Sequence, residues 1–346
     1  MYLITGHLAA EQAAFLFCPE RMNEMEDIRS FGMELKDEIM NAVPMDVRDS
    51  LTLKETEVTK INDQKLYGFM FKRDGSDASP AIYVNQFFER FRNGESVKAL
   101  AKEMADLYMN SVAEKAPEMP NKLDFDDIKD NLTIRIIDIG RNQDYLREVP
   151  CMMLGNGLAA VCDIQLQQEL EGMWRTTVTT GLMERQDYDK AELFNKAMET
   201  APEVDPPMFT SMGANLFGQG EIGDLLDNDE PVSDESKEPM YVLSNESGMF
   251  GAAALFYPGM QEKIAEKLGE GYYALPSSLH EYIIIPESAG IDPKEMCEMV
   301  KTANKTVVEP KDVLSDNVLH FDRDSRQLDS VSDLLEAKPK EQEMRC

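Results

Sequence analysis

Histidine is almost missing from this chain. Only His7, His280 and His320 occur in 346 residues, and no two stand at a spacing that would bring them to one metal ion, so a histidine-based metal site is not expected. Phosphate-binding glycine loops are missing too. Gly155-Asn156-Gly157 and Gly218-Gln219-Gly220 lack the further glycines and the lysine that such loops use to wrap a phosphate in backbone N–H groups, so no nucleotide or other cofactor is predicted. Long apolar runs are also lacking. The longest uncharged stretches, Pro206–Gly220 and Ser247–Gln261, contain proline and glycine and fall short of the roughly 20 residues that cross a bilayer. No membrane association is predicted.

Cysteine is sparse and unpaired in pattern. Cys18, Cys151, Cys162, Cys297 and Cys346 are odd in number and show none of the short spacings of zinc or redox sites, so reduced thiols are expected. Cys151 and Cys162 lie in apolar surroundings and read as small buried hydrophobes. The start, Met1–Ala10, carries no basic residue and no signal-type apolar core. Together these features predict a cytoplasmic protein.

Basic clusters are missing as well. The densest basic stretches hold only two adjacent charges, as at Lys72-Arg73, while 65 acidic against 35 basic residues give a formal charge of −30. Such a surface repels phosphate backbones and anionic lipids, so direct nucleic-acid binding is not expected. It suits instead a protein partner, or an acidic mimic that occupies a nucleic-acid-binding protein.

What is present reads as an α+β fold of mixed or antiparallel sheets flanked by helices. Ile28, Phe31, Leu35 and Ile39 stand at helical spacing within Met25–Val43, ahead of Pro44. Leu51–Thr59 and Lys65–Lys72, joined by Asn62-Asp63-Gln64, predict an antiparallel hairpin. A short strand at Ala81–Val84 and helices at Gln86–Arg92 and Ser96–Asn110 follow. The middle predicts a short helix near Phe125–Asp130, strands at Leu132–Ile139, Leu158–Leu166 and Trp174–Thr180, and a helix at Asp189–Thr200 closed by Pro202.

Glu221–Glu238 holds eight acidic residues, one lysine and no aromatic residue, and reads as an exposed loop or linker. It divides an N-terminal α+β region (1–220) from a C-terminal α+β region (240–325), with the linker taken as 221–239. So many carboxylates on an already negative surface predict a flexible segment that limited proteolysis cuts first. Beyond it, Tyr241–Ser244, Met249–Phe256, Tyr272–Leu275 and His280–Pro286 read as strands or short buried segments. Helices are expected near Gly259–Leu268 and Pro293–Asn304, and 326–346 reads as a frayed or disordered tail.

The densest group of chemically able side chains is Pro276–Glu281 (PSSLHE). Ser278, His280 and Glu281 are the candidate catalytic residues of a hydrolase-like enzyme, because such an enzyme needs a hydroxyl, a base and an orienting carboxylate. Alternation along an extended chain sends Glu281 to the other face from Ser278 and His280, which argues against a local triad. The competing reading is a turn whose serine hydroxyls bond the backbone, with a structural histidine whose ring binds a backbone carbonyl or a serine hydroxyl. On balance a non-catalytic, protein-binding or regulatory protein is expected, with the hydrolase as the alternative.

Tyr241–Asn245 (YVLSN), Gly251–Leu255 (GAAAL), Pro258-Gly259, Ile264–Gly269 (IAEKLG) and Pro276–Glu281 (PSSLHE) resemble a bacterial family catalogued only as a domain of unknown function, mostly from anaerobic gut-type bacteria and often near mobile elements. The resemblance runs from about Phe31 through Ile285. It also takes in Asn131–Asp138, Glu148–Pro150, Leu158–Val161 and Thr176–Thr200. Within its motifs, Asn245 and Ser277 are candidate binding residues. The chain departs from the family pattern where an Asn-x-x-His followed by Trp is expected, carrying Thr179-Thr180-Gly181-Leu182, so any role of that histidine is missing. The resemblance implies relatives but no activity.

Overall fold

Phe31, Leu35 and Ile39 recur every fourth residue, which places them on one face of a helix. All three are buried in helix α1 (Pro19–Ala42), which ends just before Pro44, where proline disfavours helix in the residue ahead of it. The computed structural model describes residues 19–74, 80–113, 124–167, 173–213, 223–228, 230–233 and 237–336. It splits into two compact units, Met1–Lys60 with Gln64–Pro120, and Ile61–Asp63 with Asn121–Cys346.

In the first unit α1 is followed by α2 (Met45–Arg48), strands β1 (Leu51–Lys60), β2 (Gln64–Arg73) and β3 (Ala81–Tyr83), and helices α3 (Asn85–Arg92) and α4 (Val97–Ala113). The strands form an antiparallel sheet in the order β1-β2-β3. The buried face of α1 packs with Leu100, Met104 and Tyr108 of α4 and with Phe69 and Phe71 of β2, and the rings of Phe71 and Tyr108 stack at 4.7 Å. A Cβ at Gly68 would lie 2.3 Å from the Ile82 carbonyl oxygen, so only glycine lets β2 and β3 approach there.

The second unit contains α5 (Phe125–Ile128), β4 (Leu132–Asp138), β5 (Cys151–Gly155), β6 (Leu158–Gln167), β7 (Met173–Thr177), α6 (Thr180–Gln186), α7 (Lys190–Val204), β8 (Pro207–Ser211) and β9 (Tyr241–Asn245). A 3₁₀ helix (Gly251–Phe256) then leads to α8 (Met260–Leu268), β10 (Tyr272–Ser278), β11 (Glu281–Pro286), α9 (Pro293–Thr306), β12 (Leu319–Asp322) and β13 (Gln327–Ser330). In one sheet β6 pairs with β4 along one edge and with β5 and β7 along the other. The second sheet runs β13-β12-β10-β11-β9-β8. Every pairing among the described strands is antiparallel. The chain is an α+β protein, and of the two expected sheet types it uses the antiparallel one. Helix α7 packs on β4, while the buried 3₁₀ helix packs on both β4 and β9.

Several expectations from the sequence are corrected. Pro202 does not close α7, which continues to Val204: the proline removes a single N–H donor, and the ladder resumes beyond it with the Asp205 N–H donating to the Ala201 carbonyl at 2.8 Å, while Asp189 caps the start by accepting from the Glu192 N–H at 2.8 Å. Of the two readings offered for Met249–Phe256, a strand or a short buried segment, the second applies: Gly251–Phe256 is a buried 3₁₀ helix. Strands β5, β8 and β12 lie outside the segments that the sequence marks as strands. The expected tail is structured over most of its described length: β13 pairs with β12, and residues 331–336 are helical. Residues 337–346 lie outside the described residues.

The division between units falls at Pro120, and the described residues flanking Glu221–Glu238 on both sides belong to the second unit. Part of that segment (221–222, 229 and 234–236) lies outside the described residues. The described remainder is hydrogen-bonded to the rest of its unit. Lys267 is buried, and its ammonium donates to the Asn228 and Glu230 carbonyls and to Asn228 Oδ1. The Val232 N–H donates to the Lys267 carbonyl at 2.8 Å, and Lys263 reaches the Leu226 carbonyl at 3.3 Å. Asp224 accepts from the Phe209 and Leu226 N–H groups, and Glu238 from Ser211 and Gly213. Lys267→Met removes the central donor, so a loss of about 1–3 kcal/mol and faster proteolytic cutting within Glu221–Glu238 are expected. Urea unfolding and mapping of the first cleavage site check both.

Candidate functional site

Strand alternation sends Leu132, Ile134 and Ile136 of β4 to one face and Thr133 and Arg135 to the other. In the antiparallel register Thr133 lies opposite Asp163 of β6, Asp163 opposite Thr177 of β7, and Gln165 opposite Arg175. Directly opposed residues share a face. One face of this sheet therefore carries Thr133, Arg135, Asp163, Gln165, Arg175 and Thr177.

This polar row is enclosed. Arg135, Asp163, Gln165 and Asp205 are buried, and the Arg175 side chain is nearly so. Arg135 Nη2 pairs with Asp163 Oδ2, and Arg175 Nη2 with Asp205 Oδ1. Both oxygens of the second carboxylate are bonded, since Thr133 donates to Asp205 Oδ2 at 2.8 Å; the Tyr257 hydroxyl donates to the main-chain carbonyl of Asp205 at 3.2 Å. The first pair is less complete. Among the described residues Arg135 Nε, Asp163 Oδ1 and Gln165 Oε1 are buried without a hydrogen-bond partner. Nearby, burial pushes the Tyr145 phenol up, opposed by the positive charge of Arg135 and a hydrogen bond to Thr177. Each arginine is matched by one aspartate, so the row combines charge neutrality with a high desolvation cost.

Arg135 also meets an aromatic lid. Its Cζ lies 4.0 Å from the centroid of the Phe250 ring, a cation–π contact. Phe250 stands at φ +56°, a left-handed backbone conformation that bulky residues rarely adopt. The loop ahead of it is bonded internally: Asn245 Nδ2 donates to the Met249 carbonyl at 2.9 Å, Ser247 Oγ to Asn245 Oδ1 at 3.1 Å, and the Gly248 N–H to the Asn245 carbonyl at 3.1 Å. Behind it, a Cβ on Gly251 would lie 2.6 Å from the Asn245 nitrogen and 2.7 Å from the His280 carbonyl oxygen, so glycine is required where β9, the 3₁₀ helix and the β10–β11 turn converge.

The residues singled out in the sequence meet at this convergence. Asn245 shapes the loop, and His280 receives it: the Phe250 N–H donates to His280 Nδ1 at 3.1 Å, with the two rings stacked at 5.5 Å. His280 Nε2 faces Asp312 Oδ1 at 3.5 Å, and Ser244 Oγ donates to the His280 carbonyl at 2.8 Å. Ser278 Oγ accepts from the His280 backbone N–H at 3.0 Å, while Ser277 Oγ donates to Glu281 Oε1 at 2.9 Å. The imidazole thus bonds a backbone N–H, not the carbonyl or serine hydroxyl expected from sequence. Asp312 is held in turn: the Leu279 N–H donates to its carbonyl at 2.7 Å, and Asn62 donates to the carbonyls of Pro310, Lys311 and Val313.

The sequence reading missed Arg135, Asp163, Phe250 and Asp312. A signal existed for the first two, each being a charged residue inside an apolar strand. Of the cysteines, Cys162 is buried and its thiol is pushed up by desolvation, whereas Cys151 is half-buried. No group of three or more His, Cys, Asp or Glu side chains among the described residues could hold a metal ion, and no described helix is long and apolar enough to cross a membrane.

Taken together, these features define an α+β protein of antiparallel sheets whose larger unit encloses a charged row beneath an aromatic lid. The chain belongs to DUF5688, a family of unknown function, whose model matches residues 28–323. No curated protein and no solved structure matches it.

Arg135→Met leaves the Asp163 carboxylate buried without its cation, and a loss of about 3–5 kcal/mol is expected. Adding Asp163→Leu to that variant should restore most of the loss, because no charge then stays buried alone. Urea unfolding of the two variants tests the sign of both effects; a single variant as stable as the parent would mean that water reaches the pair.

Proposed function

We propose that this chain is a non-catalytic cytoplasmic protein that binds a protein partner. The observation that carries this reading is the use made of the Ser277–Glu281 side chains. The Ser278 hydroxyl accepts from a backbone N–H, the Ser277 hydroxyl is given to Glu281, and His280 Nδ1 accepts from Phe250, so these groups are engaged in holding a turn and a loop. A hydrolytic base needs a nitrogen lone pair turned to a nucleophile, and here that lone pair receives a backbone proton.

The net charge of −30 supports a partner with a basic face, since complementary charge speeds encounter and fixes orientation. Binding of that kind weakens as salt rises. A nucleic-acid-binding protein occupied by an acidic mimic is one partner of this chemistry.

The test uses the immobilised chain at low and high salt with a panel of ester and peptide substrates. A basic protein retained in stoichiometric amount at low salt and released at high salt supports the reading. His280→Ala is expected to lose about 1–3 kcal/mol of stability, because the Phe250 N–H loses its acceptor, while capture of the partner is unchanged. A variant that melts like the parent yet loses the partner would place His280 in the binding surface and not in a structural role, and loss of a hydrolytic activity present in the parent would overturn the proposal in favour of the hydrolase.

A further inference from the structure

We infer that His280 is a proton-operated latch on the Glu246–Phe250 loop. The inference rests on which ring nitrogen does what. Nδ1 accepts the Phe250 N–H at 3.1 Å, so it carries no proton, and in the neutral ring the proton sits on Nε2, facing Asp312 Oδ1 at 3.5 Å. A second proton has only Nδ1 to go to. There it sets one N–H against another, and the hydrogen bond is lost.

That bond holds a residue with reason to leave. Phe250 is kept at φ +56°, a conformation that persists for a bulky side chain only where the surroundings impose it. The internal bonds of the loop fix Asn245–Met249 but stop short of the Phe250 N–H, for which His280 Nδ1 is the acceptor. Once released, Phe250 can return to negative φ and withdraw its ring from Arg135. The latch therefore links the protonation of a partly exposed imidazole to the cover over the buried Arg135–Asp163 pair.

The charged groups around the imidazole come from several elements. Asp312, in the segment after α9, favours the added proton, and Lys311 Nζ, 3.8 Å from the other oxygen of that carboxylate, weakens the effect. Arg135 of β4 stands across the Phe250 ring and opposes it, although its own charge is paired with Asp163. Glu281 of β11 is bonded to Ser277, Glu246 of the loop is exposed, and the 3₁₀ helix Gly251–Phe256 carries no charge. The loss of the Phe250 bond follows from geometry alone.

The experiment follows the Phe250 amide and the His280 ring nitrogens by NMR in the full chain, between about pH 8 and pH 5, the interval in which histidines generally titrate. On acidification the hydrogen-exchange protection factor of Phe250 is expected to fall about tenfold, the scale of one lost hydrogen bond. Its midpoint should coincide with that of the Nδ1 resonance. In His280→Asn an amide oxygen can take the acceptor position and does not titrate, so Phe250 protection should stay level. Constant protection in the parent, a midpoint that differs from the ring's, or an equal fall in His280→Asn would each overturn the latch. The two parent measurements decide the matter even if the variant does not fold.

Discussion

The ion pair between Arg135 and Asp163 sets the terms for the larger unit. Two opposite charges taken out of water on neighbouring strands are stable only if they stay together and dry. Strand register, aromatic cover and loop conformation all serve that condition. The β4–β6 register brings Thr133 opposite Asp163, so the Arg135 guanidinium reaches the carboxylate diagonally, one step along the sheet. A slip of one residue would turn Arg135 to the face of Leu132, Ile134 and Ile136 and leave the buried Asp163 carboxylate without its cation. The charged pair thus specifies register more sharply than the surrounding isoleucines and alanines do.

The cover over the pair explains the unusual backbone around it. Phe250 gains a cation–π contact and a stacked imidazole in exchange for a disfavoured backbone conformation, and Gly251 lets three chain segments meet without a side chain between them. The GAAALF stretch that follows is buried throughout, which suits a helix with no solvent face. The polar residues of the neighbouring turn complete the arrangement by bonding the loop and one another.

Elements with a regular period were legible in the sequence. The fourfold spacing of Phe31, Leu35 and Ile39 gave α1, and alternation gave the first hairpin. The GAAALF stretch has no period because every residue is buried, so it could not be told from a strand. Pro202 misled because a proline removes only its own N–H donor, and here the helix carries on past that one loss to the bond between the Asp205 N–H and the Ala201 carbonyl. The candidate site was half legible: His280, Ser277, Ser278, Glu281 and Asn245 do meet, but Phe250 and Asp312 come to them through folding from 30 and 32 positions away. Asn62-Asp63-Gln64 reads as a turn and contains one, yet the Asn62 side chain serves the distant Pro310–Val313 carbonyls, a use that local patterning does not encode.

The anchoring of the acidic segment by Lys267 and Lys263 has a consequence for how this stretch can change over time. Both lysines take hold of main-chain carbonyls, at Leu226, Asn228 and Glu230, and only the amide of Asn228 is also gripped. A carbonyl is supplied by any residue, so this part of the docking does not depend on the side chains at Leu226 and Glu230. Charge can drift there, by substitution or by covalent modification, while the path of the chain is kept. The carboxylates of Asp224 and Glu238, which themselves bind backbone and hydroxyl donors, are where electrostatics and placement stay tied together.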